Sequence, residues 1–144
     1  MFGLRRRRDA RLSPVWERAL ALGRQSPVGH GPYETVSCLG QVVRHRQRAR
    51  TGTKAYVRWV ADGSVTAAWF WSARPPVHSY VLARGQYSHG DHHREAVFYV
   101  HQGHFELIPA QALAAHSREQ RRLAKRSANR ADATASGQVP GLYP

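Results

Sequence analysis

The chain has one cysteine, Cys38, two lysines, Lys54 and Lys125, and nine acidic residues among 144. A single thiol excludes an intrachain disulfide and a thiolate zinc cage, and such sparing use suits a reducing compartment, so a cytoplasmic setting is expected. No run approaches the roughly 20 apolar residues of a membrane span. The basic start, Arg5 to Arg8, resembles a signal-peptide head, but Asp9, Arg11, Glu17, Arg18 and Arg24 break up the next stretch, and no apolar run forms. The G-x-G-x-x-G, Walker, G-x-S-x-G and H-E-x-x-H patterns are also missing. Cys38 sits in an apolar strand pattern, where a buried thiol is inert. Nucleophilic catalysis is therefore not expected.

Positive charge is what the chain has in excess. Lys and Arg total 22 against nine acids, a formal net charge of +13. Self-repulsion of that size opposes compaction, and a polyanion relieves it while releasing counterions. Nearly all the charge is arginine, whose planar fork grips phosphate and stacks on bases. The chain is 42% hydrophobic, with four Trp, six Tyr and four Phe, so it has material for a real core.

Residues 1–11 read as a basic flexible arm. Residues 12–128 read as a single β-rich domain with flanking helices, and residues 129–144, rich in small and polar residues, as a disordered tail. Ser13-Pro14 is expected to open a short helix ended by Gly23. Alternation predicts strands over 34–44, 54–60, 65–71, 80–87, 93–101 and 105–108, with hairpin turns at 61–64, 89–91 and 102–103. Pro109 opens a second helix, basic in its latter half, ending near 126–128. The expected fold is mainly β (α+β), a small antiparallel curled sheet or SH3-like barrel of five or six strands with a short N-terminal and a basic C-terminal helix.

Four groups of residues carry potential chemistry. Arg44, Arg46, Arg48 and Arg50 alternate strictly, so extended chain would project all four to one side at about 6.5–7 Å spacing, close to that of phosphates. Their joint replacement by Ala should lower the salt slope of duplex binding by about 3–4 units, at roughly 0.9 per phosphate. Arg118, Arg121, Arg122, Lys125 and Arg126 share one helical stripe, and the helix dipole accounts for only one or two of them. Tyr56 shares a strand face with Lys54 and Arg58, an arrangement suited to stacking and steering a single strand. In Trp69-Phe70-Trp71 at least one ring must face outward. Finally, His89, Asp91, His92, His93 and Glu95, with His101 and His104 beyond, have the residue types of a divalent-metal site, though no zinc-finger spacing is present.

Over residues 34–108 the basic loop and short hairpins on a compact β core resemble SH3-like and other small-barrel nucleic-acid modules. That resemblance carries no motif and transfers no functional residue. The expected function is non-catalytic nucleic-acid binding, DNA or RNA, mainly through the phosphate backbone, with no cofactor and no membrane partner. Two alternatives differ in class. One is an adaptor or assembly protein docking an acidic protein. The other is a metal-dependent hydrolase or nuclease built on residues 89–95, with a divalent ion as cofactor.

Overall fold

A computed structural model describes residues 2–31, 33–89 and 95–141, with side chains for 3–31, 33–88 and 95–133. Its elements are α1 (Phe2–Leu22), β1 (Thr35–Ala49), β2 (Gly52–Trp59), β3 (Val65–Trp71), β4 (Tyr80–His89), β5 (Ala96–Ile108) and α2 (Ala110–Gly141). They divide into two compact units, residues 15–110 and residues 1–14 with 111–144.

The first unit is a closed five-stranded barrel in the order β1-β2-β3-β5-β4. β1 is long enough to serve two neighbours. Its first half pairs with β4, from Thr35 opposite Gln86 to Gln41 opposite Tyr80. Its second half pairs with β2, from Gly40 opposite Trp59 to Ala49 opposite Gly52. The change of partner falls at Gly40, where a Cβ would collide with the Val57 and Trp59 side chains. Glycine lets the strand bend into closure there.

The expected small barrel is thus present, with two departures in detail. β3 and β5 run parallel, Ala67 opposite Val97 to Trp69 opposite Tyr99, whereas every other pairing is antiparallel. A ring of five strands cannot alternate direction all the way round, so one parallel junction is unavoidable. The predicted turn at 102–103 is a bulge within β5. Gly85 pairs with Val100 and Ala83 with Phe105, so His101 to His104 face Arg84 alone. Gly103 takes φ of 76° inside that bulge.

Alternation fills the barrel. Val36, Cys38 and Val42 of β1, Ala55, Val57 and Trp59 of β2, Ala68 and Phe70 of β3, Val81 and Ala83 of β4, and Phe98 and Val100 of β5 form one buried cluster. Trp59 meets Phe98 edge-on at 5.2 Å, and its Nε1–H donates to Thr66 Oγ1 at 2.8 Å, so its one polar atom is satisfied. Each large side chain buried here is worth about 1.5–3 kcal/mol. Trp16 of α1, itself buried, stands edge-on to Tyr80 at 4.9 Å.

α1 begins at Phe2, not at Ser13, and Pro14 lies inside it. Ser13 is used for something other than capping. Its hydroxyl lies 3.3 Å from His116 Nδ1 on α2. α2 runs on to Gly141, past the predicted end, although Thr134, Gly137 and Pro140 in that stretch are poor helix formers.

Candidate nucleic-acid interface

Opposite residues on paired strands share a face. On β2, Thr53, Ala55, Val57 and Trp59 point into the barrel, which leaves Lys54, Tyr56 and Arg58 outside. Their partners on β3 are Trp69, Ala67 and Val65, and Gly52 pairs with Trp71. Trp69-Phe70-Trp71 therefore splits, with Phe70 in the core and both tryptophans outside. The two indoles meet edge-on at 5.4 Å, and Trp71 is 42% exposed. Trp69 Nε1 is buried without a hydrogen-bond partner among the described residues.

The arginines of β1 do not form one row. The pairing of β1 with β2 slips between Val42 and Arg44 and again between His45 and Gln47. Each slip is a bulge that adds one residue and reverses the parity of the residues beyond it. Arg44 stands opposite Tyr56, on the outer face, and its guanidinium lies 4.7 Å from the centre of the Tyr56 ring. Arg46 falls in the second bulge. Arg48 stands opposite Thr53, whose neighbours on that face point into the barrel. His45 is tied down by its Nε2, which donates to the Pro75 carbonyl at 2.7 Å. All four arginines are exposed, but Arg44 and Arg48 lie on opposite faces. Arg50 instead lines an open basin of about 550 Å³ with Thr53, Ser72, Ala73 and Arg74.

Lys54 is buried, only 8% exposed, and its Nζ lies 3.2 Å from Glu95 Oε1. The Tyr56 hydroxyl donates to the same oxygen at 3.1 Å. Burial works against the Glu95 charge, but the bonds from Lys54 and Tyr56, with the charges of Lys54 and Arg46, hold its carboxyl below the usual range. Of the residues singled out in sequence, buried Lys54 and Tyr56 thus meet at Glu95, the Arg46 charge acts on the same carboxylate, Arg44 lies over the Tyr56 ring, and Arg58 is exposed.

In the helical unit the basic stripe is divided. Arg118 donates to both oxygens of Asp9, at 2.8 and 2.7 Å, and Arg122 adds a third bond at 2.9 Å. Arg122 also bonds Glu119. Asp9 is fully buried, and the Arg118 hydrogen bond, chief among several causes, brings its carboxyl to about 2. Arg121, Lys125 and Arg126 are exposed. Asp9 escaped sequence reasoning as a structural residue. Its one signal was being the lone acid in a run of arginines.

Asp91, His92 and His93 lie outside the described residues, as does the side chain of His89. Among the described residues no three His, Cys, Asp or Glu side chains gather to hold a metal. Glu95, the fifth residue of that set, faces Lys54 and Tyr56. His101 and His104 stack edge-on at 5.9 Å in the β5 bulge. Cys38 is buried in the core, where desolvation pushes its thiol up to about 12. No helix of the described residues is long and apolar enough to cross a membrane. No protein-family model matches the chain, and no curated protein sequence matches it.

Proposed function

We propose that the protein binds single-stranded nucleic acid in the cytoplasm, on the outer face of β2 and β3 and the adjoining end of β1. One observation carries this reading. Aromatic rings and cations are interleaved on that face, with Trp69, exposed Trp71 and Tyr56 among Arg44, Arg46 and Arg58. Rings stack on bases and arginines follow the phosphates, whatever the sequence. An unstacked strand offers base faces that a duplex hides. Architecture adds support by analogy, because five-stranded Greek-key barrels of the oligonucleotide-binding type use the face of strands 2 and 3 and the loops between strands 1–2 and 4–5. The net charge of +13 suits the same partner. Arg121, Lys125 and Arg126 are exposed on the helical unit and offer phosphate contacts of their own.

Fluorescence anisotropy with a labelled 20-nucleotide single strand and its duplex, each at several salt concentrations, tests it. The single strand should bind more tightly, quench tryptophan emission and weaken steeply with salt. Tighter duplex binding would overturn the assignment of strandedness. No binding to either would overturn the nucleic-acid reading and turn attention to an acidic protein partner.

A further inference from the structure

We infer that Glu95 reads the base, accepting a hydrogen bond from an exocyclic amino group, so that the barrel face prefers cytosine to thymine. This rests on the reading of that face as a single-strand binder. Glu95 opposes phosphate binding by charge. Its pairing with buried Lys54 accounts for one oxygen, and the role inferred falls to the carboxylate's exposed side. Glu95 is held in a way that suits an acceptor. Lys54 and Tyr56 both act on Oε1. The side chain is nevertheless 42% exposed, which leaves carboxylate surface for a ligand. A carboxylate anchored through one oxygen and still open to solvent is a positioned acceptor beside the Tyr56 ring. Cytosine carries an amino donor at N4 where thymine carries the O4 acceptor, and Glu or Asp is the usual partner of that donor.

The identity of the holding groups makes the substitution Glu95→Gln informative. Lys54 and the Tyr56 hydroxyl both donate to Oε1, so they select the amide oxygen of glutamine. The amide NH₂ must then take the other place. The group offered to a base changes from acceptor to donor while size and anchoring persist, and its natural partner becomes thymine O4. A residue that served only to neutralise Lys54 would give no such reversal.

The experiment measures affinity for oligo-dC and oligo-dT of equal length at fixed salt, for the wild type and E95Q. The wild type should favour oligo-dC by about fivefold to tenfold, at the lower end of what one good base contact discriminates. E95Q should favour oligo-dT. A third oligomer, of N4,N4-dimethylcytosine, needs no variant and removes both donor hydrogens. The wild type should bind it no better than oligo-dT. Equal wild-type affinity for dC and dT, an unchanged ratio in E95Q, or undiminished binding of the dimethylated oligomer would each overturn the role of Glu95 while leaving single-strand binding intact. Failure to bind any of the three would overturn the single-strand reading and this inference together.

Discussion

Two of the arginine-rich regions look alike as sequence and are put to different uses. At the end of β1, arginines 44, 46, 48 and 50 are exposed, and Arg44 lies over the Tyr56 ring. On α2, two of the five residues of the basic stripe turn to the buried carboxylate of Asp9 on α1. The difference comes from where the few acids lie. With nine acids for 22 bases, each acid decides the fate of the arginines it can reach. Asp9, buried, turns Arg118 and Arg122 into a structural clasp. Glu95, part-exposed at the edge of β5, takes Lys54 and leaves Arg44 and Arg46 exposed. Charge counted along a chain is therefore a poor guide to charge available to a partner.

The largest effect is expected from Asp9→Ala. It leaves two guanidinium groups without their buried partner and should destabilise the helical unit by about 2–4 kcal/mol, read by chemical denaturation. Oligonucleotide affinity should not fall, because two cations are released and none removed. A loss of affinity with unchanged stability would erase the contrast between the regions. Acid should mimic the substitution. The Asp9 carboxyl sits at about 2 against an ordinary 3.8, so its contribution is complete above 3.8 and is lost as the pH falls from there through about 2.

In the barrel, Trp71→Ala should cost about 1–3 kcal/mol of single-strand affinity if its exposed ring stacks on a base. Because that ring lies outside the core, thermal stability should hardly move. A smaller effect sharpens the comparison of arginines. Arg44→Ala with Arg46→Ala should lower the single-strand salt slope by about 1.4, at roughly 0.7 per phosphate, and cost no more than about 1 kcal/mol of stability, the worth of an exposed cation–π contact. Arg118→Ala with Arg122→Ala should do the reverse, losing stability and keeping the slope. Equal slopes for the two double variants would mean that the clasp opens to phosphate.

Much of the barrel was legible because period-2 alternation is written residue by residue. Ala55, Val57 and Trp59 against Tyr56 and Arg58 is one example, and Phe70 between two outward tryptophans is another. What was illegible depends on contacts that no local pattern encodes. Nothing around Val43 or Arg46 marks a bulge, yet two bulges split the arginine row between faces. Gly103 reads equally well as a turn or as a bulge residue, and only its pairing with β4 decides. Asp9 meets Arg118 across 109 positions of sequence. Glu95 was grouped with metal ligands by residue type, since its neighbours Lys54 and Tyr56 come from another strand.

The smallest effect belongs to an acid whose work was readable. Asp62 sits in the predicted hairpin turn between β2 and β3, and its Oδ1 accepts from the Ser64 hydroxyl at 2.6 Å and the Ser64 amide at 2.9 Å. The Ser64 hydroxyl bond is the main cause that holds its carboxyl below the usual value, with the Ser64 amide adding to it against a desolvation cost. Its share of stability is therefore present above the ordinary aspartate range and lost as pH falls below it. Being exposed, it fixes a local turn and not a packed clasp, so Asp62→Ala should cost only about 0.5–1.5 kcal/mol, the worth of an ordinary hydrogen bond. Gly63, with φ of 73°, supplies the left-handed residue that the turn requires. A loss from Asp62→Ala as large as that from Asp9→Ala would show that burial is not what separates the two carboxylates.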